Sequence, residues 1–197
     1  TDIEQDYQIR IKPLDRLTVT INSKDPELAA PFNAASSYNS LNGLSSYSSS
    51  SNGNLQILTV DKEGKIQLPI IGEIDCDGLT RNELAKKIEN TIRENGMVHD
   101  PIVIIQFADV KFSVLGEVAR PGQFSITKDR ISLFDALAMA GDLTIYGIRT
   151  DVAVAREVNG VRTIEYLDLT SKDLFNSPAF YIQQNDVIYV KPNKYKA

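Results

Sequence analysis

Few side chains in this sequence have the type and spacing that catalysis needs. His99 is the single histidine, so we expect neither a Ser-His-Asp triad nor a histidine-rich metal site. Its neighbour Asp100 could orient it as a general base. A solvated pair preceding Pro101 is the simpler interpretation.

Two carboxylates, Asp75 and Asp77, flank Cys76 and resemble the acid pair of a glycosidase. They are two residues apart in a glycine-bounded loop, so an exposed turn is the simpler interpretation. Cys76 is the single cysteine, which excludes an internal disulfide and a multi-cysteine zinc site. No basic residue adjoins it in sequence to lower its pKa. We therefore predict a protein that is not an enzyme, holds no metal and uses no cofactor.

Four side chains are candidates for contacting a ligand. Arg149 and Arg156 could clamp an anionic group, although a structural arginine is the commoner case. Tyr38 and Tyr47 could stack on a glycan or a partner from the segment 34–54, in which nine of 21 residues are serine. Such a segment has little apolar surface to offset the entropy of ordering it, so a flexible insertion is the simpler interpretation.

Length and charge restrict the classes of partner. The chain has 197 residues and a formal charge of −5, and its halves, residues 1–110 and 111–197, carry −6 and +1. Neither half is polycationic, so we expect no nucleic-acid partner. No apolar run approaches the ~18 residues that cross a bilayer. The polar start at Thr1 indicates a processed or trimmed amino terminus.

The first half predicts strands around one long helix. Residues 7–21 read as an extended segment, a turn and a strand, and residues 55–74 as a hairpin turning at Asp61 to Gly64. A capping box at Thr80 begins an amphipathic helix that stops near Asn95. The apolar run 102–107 predicts a central strand.

The second half also predicts strands around a capped helix. The stretch 112–124 reads as a strand and a turn that join two domains, and 132–141 as a capped helix. A hairpin follows over 151–166. Its return arm buries either Val161 with Ile164 or Thr163 with Glu165, and the sequence leaves this register open. A short helix or turn and a last strand at 187–190 complete the order of a β-grasp domain. We thus predict an α+β protein of two small sheet-and-helix domains.

The chain resembles the outer-membrane polysaccharide export family, the translocon proteins for capsule or exopolysaccharide. Four segments of the first half carry the resemblance: YQIRIKPLDRLTVTI, VDKEGKIQLPIIGEI, GLTRNEL and DPIVIIQF. Three of the second half carry it further: VLGEVARPGQF, SLFDALAMAGDLT and NDVIYV. The resemblance implies an export domain over residues 1–110 and a soluble-ligand-binding β-grasp (SLBB) domain over 111–197. The serine-rich insertion lies outside these motifs.

The family resemblance implies a periplasmic lipoprotein at the outer membrane, assembled as a ring, commonly an octamer, that conducts exported polysaccharide. It also implies an inner-membrane polysaccharide co-polymerase, often a tyrosine kinase, as partner. Family members begin with a lipidated cysteine and many end in a membrane-spanning helix, and neither is visible between Thr1 and Ala197. We expect these residues to be a soluble part of the protein, without both anchors, that is monomeric alone.

Two functions from different classes follow. The first is a passive conduit or assembly subunit for exported polysaccharide. The second is a periplasmic receptor whose β-grasp domain binds a soluble ligand or short glycan near Arg149, Arg156 and the turn at Pro121 and Gly122.

Overall fold

The computed structural model describes residues 8–33, 56–158 and 160–195. These residues form two compact units. One contains residues 10–109, and the other contains residues 110–195 together with Gln8 and Ile9. Ile9 joins the second unit by donating its backbone N–H to the Asp129 carbonyl at 2.8 Å. Helices and sheets occur in both units, which confirms the predicted α+β class.

The described residues of the first unit form five strands and two helices. In chain order these are β1 (Arg16–Asn22), α1 (Pro26–Asn33), β2 (Gln56–Thr59), β3 (Lys65–Leu68), β4 (Gly72–Asp75), α2 (Arg81–Glu94) and β5 (Ile102–Phe107). One sheet has the strand order β2-β1-β5, and β3 pairs with β4 in a separate ribbon; all these pairings are antiparallel.

Alternation places the core of this unit on one face of β1. Leu17, Val19 and Ile21 are buried, as the period of two predicts. Helix α2 covers this core. Its fully buried residues are Leu84, Ile88 and Ile92. Burial of this stripe supplies most of the helix's stability, because a 14-residue helix is marginal alone.

The predicted start of α2 is confirmed. The Thr80 hydroxyl accepts the backbone N–H of Glu83 at 3.2 Å, and the Glu83 carboxylate accepts the N–H of Thr80 at 3.0 Å. Two of the orphan amides of the first turn are thereby satisfied. The helix ends at Asn95, followed by Gly96 with φ +68°. No helix among the described ranges is both long and apolar enough to span a membrane.

The predicted hairpin over residues 55–74 is wrong in its pairing. The turn is present, since Asp61 donates its N–H to the Lys65 carbonyl at 2.9 Å. Beyond it the two arms separate: Leu58 lies opposite Leu17 of β1, and Ile66 lies opposite Ile74 of β4. All four of these side chains are buried. The predicted pairing is therefore replaced by two others, of β2 with the distant β1 and of β3 with the next strand, β4.

Strand β5 is also not the central strand that its apolar run predicts. It lies at one edge of the three-stranded sheet of the described residues. Val103 and Ile105 are buried, whereas Ile102 and Ile104 are 58% and 48% exposed. The Glu89 carboxylate accepts the backbone N–H of Val103 at 3.1 Å, so a side chain blocks part of the free edge.

In the second unit, the described residues form seven strands, one α-helix and a 3-10 helix. They are β6 (Lys111–Gly116), β7 (Gly122–Ser125), β8 (Ile131–Ser132), α3 (Leu133–Met139), β9 (Gly147–Val158), β10 (Val161–Leu167), the 3-10 helix Lys172–Asn176, β11 (Tyr181–Ile182) and β12 (Val187–Pro192). The main sheet has the order β10-β9-β12-β6-β7, in which only β12 and β6 run parallel. Strands β8 and β11 form a small second ribbon.

Local signals again place the elements of this unit. Ser132 and Asp135 form a capping box at α3, as the spacing predicts. Strands β9 and β10 form the predicted hairpin, with Val158 opposite Val161. Neither open register of the return arm is realised, because residues 161–166 are all exposed and only Leu167 of β10 is buried. As an edge strand, β10 has little covering it on either face.

Candidate functional site

Arg156, a predicted ligand contact, is tied into the fold. Its guanidinium makes a paired contact with the Asp186 carboxylate, with Nη2 to Oδ2 at 2.7 Å and Nε to Oδ1 at 3.0 Å. It also donates to the carbonyls of Pro178 and Tyr181 at 3.1 and 2.7 Å. The Asp186 side chain is fully buried and that of Arg156 is 18% exposed. This geometry fastens β9 to the segment before β12.

Arg149 is placed differently. Its side chain is half exposed, and Nη2 lies 3.3 Å from Oδ2 of Asp142, which is 62% exposed. The pKa of Asp142 is lowered, first because its carboxylate accepts the backbone N–H of Leu143 and then because Arg149 is near. Of the two arginines, Arg149 has the guanidinium that solvent reaches.

The four candidate ligand contacts do not form one cluster. Arg149 and Arg156 lie near opposite ends of the 12-residue strand β9 and share no hydrogen-bond partner among the contacts described above. Tyr38 and Tyr47 lie outside the described residues. Ligand binding by these four residues stays a prediction.

The thiol of Cys76, which lies between Asp75 and Asp77 in sequence, is buried in the core of the first unit. Asp75 ends β4, and Cys76 is fully buried, donating its thiol to the Gly64 carbonyl at 3.3 Å. Burial, followed by the charge of Asp77, raises the pKa of the Cys76 thiol to about 11. The thiol is therefore protonated at neutral pH and is a poor nucleophile.

Asp100 bonds to a neighbouring segment. Its carboxylate accepts the Ser23 hydroxyl at 2.8 Å and the backbone N–H of Lys24 at 3.2 Å. The hydrogen bond from Ser23 is the main reason that the pKa of Asp100 is lowered. These hydrogen bonds connect the segment before β5 to the segment after β1. Within the described ranges, no three His, Cys, Asp or Glu residues cluster closely enough to hold a metal ion.

The main sheet of the second unit carries a surface that the sequence pattern did not single out. Tyr166 lies opposite Ala153, Ala153 opposite Tyr189, and Tyr189 opposite Leu115, across strands β10, β9, β12 and β6. Opposed residues project from the same face of a sheet. We call these four residues the tyrosine row. The two tyrosines stand two strand spacings apart, about 10 Å.

This face is exposed, whereas the opposite face is core. Tyr166, Leu115 and Tyr189 are 60%, 45% and 41% exposed. The alternate residues Val154 and Ile188, one position along, are 1% and 0% exposed. The segment VIYV alternates as a strand with one buried face does. Only the pairing register shows that Tyr166 and Tyr189 lie on the same face of the sheet.

Lys191 lies beside the tyrosine row. Its ammonium is 4.6 Å from the centre of the Tyr166 ring and donates to Oδ2 of Asp151 at 2.6 Å. The Asp151 hydrogen bond is the main cause of a raised pKa at Lys191, so the side chain is charged throughout the neutral range. The row therefore combines aromatic faces with a fixed cation.

A cleft of about 420 Å³ lies beside α3. Its lining is mostly apolar and consists of Thr127, Lys128, Ile131, Asp135, Ala138 and Met139. The Asp135 carboxylate is held by the Ser132 hydroxyl and backbone N–H at 2.7 and 2.9 Å, and these bonds lower its pKa. Lys128 is the cation of the lining.

Comparisons with known proteins agree with the sequence resemblance. Residues 3–108 match the family described as polysaccharide biosynthesis/export protein, and residues 110–190 match the SLBB domain. The chain is 27% identical over 139 residues to the EPS I polysaccharide export outer membrane protein EpsA of Ralstonia solanacearum. That alignment covers 68% of this chain and 36% of the relative, so the chain spans about a third of that relative's length.

These matches confirm the predicted family. The SLBB match agrees with the β-grasp-like order of the second unit, one helix with a mixed five-stranded sheet. The export model alone covers more than half of the chain. The chain belongs to the polysaccharide biosynthesis/export family, with an export region followed by an SLBB domain.

Proposed function

We propose that the chain is part of a non-catalytic subunit of an outer-membrane exporter that conducts capsule or exopolysaccharide out of the cell. The observation that carries this proposal is the pair of adjoining family matches, export region then SLBB domain, over residues 3–108 and 110–190. The relative from Ralstonia is itself named as an outer membrane export protein.

The contacts of the ionisable side chains fit a structural rather than a chemical use. Asp100, Asp135 and Asp142 each have a lowered pKa, and each carboxylate accepts a backbone N–H that orders a turn or a helix start. The buried thiol has a raised pKa. Incubating the protein with the exported polymer should yield no new reducing ends; new ends would contradict a non-catalytic subunit.

The proposed setting is the periplasmic face of the outer membrane, in a homo-oligomeric ring that receives polymer from an inner-membrane co-polymerase. These partners follow from the family rather than from a contact in this chain. Chemical cross-linking of the full-length protein in cells tests both. We expect a series of cross-linked oligomers of the protein and a cross-link to the co-polymerase. Monomer alone, under conditions that cross-link a known oligomer, would contradict the ring.

Deleting the gene tests the transport function. Surface polymer should fall while polymer accumulates in the periplasm, and the wild-type gene should restore export. Total polymer is measured as well, because a failure of synthesis would lower both pools. Normal surface polymer in the deletion strain would rule out the proposed function.

A second candidate is a receptor for a small soluble ligand, which the cleft beside α3 favours. Its volume of about 420 Å³ lies within the usual range of ligand pockets. Lys128 would face an anionic group of such a ligand. Calorimetry with short oligosaccharides tests it: saturable heat that Lys128→Ala removes and Arg149→Ala leaves intact supports the cleft, and no heat from any of them contradicts it.

A further inference from the structure

Strand β10 forms an exposed edge of the second unit. It is the outermost strand in the order β10-β9-β12-β6-β7, and among the described residues it pairs with β9 alone. Residues 161–166 are all exposed, and Val161, Tyr166 and Ile164 are 62%, 60% and 56% exposed. Outside the pairing with β9, residues 161–166 form no backbone hydrogen bond within the described ranges. The outer edge of the strand thus offers N–H and C=O groups to a partner.

The other strands at sheet edges in the described part of the chain are shorter or covered. A side chain blocks part of β5, since the Glu89 carboxylate accepts the N–H of Val103. Strands β2 and β7 and the strands of the two ribbons have four residues or fewer. Strand β10 has seven residues in one uninterrupted register, and it contains neither proline nor lysine. Folded proteins usually protect a long, regular edge, so an edge without such protection indicates a strand that pairs with another chain.

The register identifies which groups of β10 point outward. Val158 and Val161 lie opposite each other across a two-residue loop. In such a hairpin the pair next to the loop exchanges both backbone hydrogen bonds, and successive residues then alternate between bonding inward and outward. Arg162, Ile164 and Tyr166 therefore direct their N–H and C=O groups away from β9. Their side chains lie on the face of the tyrosine row, because Tyr166 belongs to it.

One pairing of this edge with its own copy is complementary on both faces. About a two-fold axis at Ile164, Arg162 of each copy lies opposite Tyr166 of the other, which is a cation–π pair, and the two isoleucines meet. On the other face Thr163 lies opposite Glu165, which can accept its hydroxyl. An axis at Arg162 or at Glu165 would instead oppose like charges. An axis at Thr163 would place Arg162 against Ile164.

Charge on the hairpin does not oppose self-association. Residues 147–167 contain three arginines and three carboxylates, so their net charge is zero on a chain of formal charge −5. Arg162 is already paired with Glu157 at 2.9 Å within its own hairpin. Two neutral hairpins can approach each other without electrostatic repulsion. The neutral charge and the matched side chains about one axis favour a second copy of this chain as the partner.

We propose that β10 pairs antiparallel with β10 of a second copy about a two-fold axis at Ile164, so that the two five-stranded sheets become one continuous sheet. The pairing supplies about six backbone hydrogen bonds, two for each outward-facing pair of residues. A two-fold contact closes after two copies, so it is separate from the contacts that a ring requires. A dimer differs from the monomer expected from the sequence, and sedimentation decides between the two.

Sedimentation of the 197-residue chain tests the association. The wild type should form a dimer that dissociates on dilution. A monomer at about 1 mM, where a contact with a Kd of about 1 mM would be half formed, overturns the proposal and leaves the edge to a strand of another protein or to solvent. Sedimentation does not measure export, so this outcome would leave the proposed export function intact.

Charge substitutions at Ile164 locate the axis, because only a residue on a two-fold axis lies opposite its own copy. Ile164→Lys and Ile164→Glu should each weaken the dimer about tenfold, since like charges are then opposed. An equal mixture of the two variants should restore association, because lysine then lies opposite glutamate. Wild-type association of both variants, or no recovery on mixing, overturns the proposal, provided that circular dichroism shows folded proteins.

Val161→Lys and Val161→Glu are the matched controls for the mixing experiment. Val161 is exposed on the same strand, but its two copies would lie about 20 Å apart along the paired strands. Mixing these two variants should therefore leave their association unchanged. Recovery on mixing at Val161 and not at Ile164 would place the axis elsewhere and overturn the proposal.

Cysteine cross-linking tests the register directly. Opposed Cα atoms of an antiparallel pair are about 5.5 Å apart, so Ile164→Cys should form a covalent dimer under mild oxidation. Thr163→Cys is the matched control, because its two copies would be about 8 Å apart, beyond the reach of a disulfide. The native thiol of Cys76 is fully buried and does not compete. Cross-linking of Thr163→Cys as strong as that of Ile164→Cys overturns the proposal.

Discussion

Arg156 and Asp186 form an ion pair that joins strand β9 to the segment before β12, 30 residues later in the chain. Nη2 lies 2.7 Å from Oδ2, and the same carboxylate oxygen accepts the backbone N–H of Gln183 at 2.8 Å. The carboxylate is fully buried, and two backbone carbonyls accept further hydrogen bonds from the guanidinium. The pair is thus fully hydrogen-bonded, the condition under which a buried charge is tolerated.

Breaking this pair should destabilise the second unit strongly. Arg156→Met leaves the Asp186 carboxylate buried without its counter-charge, and removal of one partner of such a pair typically costs about 3–5 kcal/mol. Urea unfolding followed by circular dichroism measures the loss. Arg162→Met is the control, since Arg162 pairs with Glu157 at 2.9 Å but is 85% exposed. A loss no larger than that of the control would contradict the structural role.

This pair also changes how the ligand hypothesis should be tested. Loss of binding in an Arg156 variant would follow from unfolding as readily as from a lost contact. Arg149→Ala is the informative substitution, because Arg149 is half exposed and its partner Asp142 is exposed as well. We expect Arg149→Ala to leave the melting temperature unchanged. A binding defect in that folded variant would support a site at Arg149.

Local signals predicted the elements of this protein well, and long-range choices less so. The capping box at Thr80 depends on four consecutive residues, so the sequence contains all of it. The partner of β2 does not: Leu58 pairs with β1, more than 40 residues earlier, through burial that no window contains. Similarly, the β-branched composition of β5 indicates a strand but not its place at an edge.

The sequence pattern does not predict helix α1, for a related reason. It contains Pro31, which argues against a helix in sequence, and tertiary contacts hold it. Asn33 at its end accepts the N–H of Ile21 at 3.0 Å and donates to the carbonyl of Ile21 at 2.7 Å. Of the candidate site, the sequence supplied the arginines and the tyrosine-bearing strands. It could not supply Asp186 as partner or the shared face of Tyr166 and Tyr189, because both depend on sheet register.

Gly116 should tolerate no side chain. Its φ is +89°, and a Cβ there would lie 2.1 Å from the Val190 carbonyl oxygen, which accepts the N–H of Glu117. Gly160→Ala serves as control, since Gly160 also has a positive φ of +76° but open space around it. The control should cost about 1–2 kcal/mol for conformation alone. Gly116→Ala should cost about 1–3 kcal/mol more from the close contact. Equal losses in urea unfolding would contradict this packing.

Thr80→Ala should destabilise the first unit by about 1 kcal/mol through loss of the helix cap. The Thr80 hydroxyl satisfies the N–H of Glu83, and alanine offers no acceptor. Thr91→Ala in the same helix is the matched control: its hydroxyl donates to the Lys87 carbonyl, which already serves the helix, and alanine has the higher helix propensity. Thermal unfolding of both variants is compared. A Thr80 variant as stable as the Thr91 variant would show that the cap contributes nothing.

Stability should fall in acid because hydrogen-bonded carboxylates become protonated. Four of them have lowered pKa values caused first by hydrogen bonds: Asp100, Asp135, Asp142 and Asp168. A lowered folded-state pKa favours the charged form, so the stabilisation is complete above the unfolded value of about 4 and is lost as the pH falls through the folded values. The free energy of unfolding should therefore decline below about pH 4. Asp135→Asn, which cannot titrate, should make that decline shallower; an unchanged slope would contradict the assignment.

Cys76 should report on unfolding of the first unit. It is fully buried and its pKa is raised to about 11, first by burial, so at pH 8 a thiol reagent should label the folded protein far more slowly than the unfolded chain. Labelling rates measured against urea should rise in step with the loss of helix signal. Because the raised pKa favours the protonated thiol, its stabilisation is complete below the unfolded value of about 8.5 and is lost as the pH rises through 11. Cys76→Ala should abolish labelling, and rapid labelling of the folded wild type at pH 8 would show that the thiol is accessible.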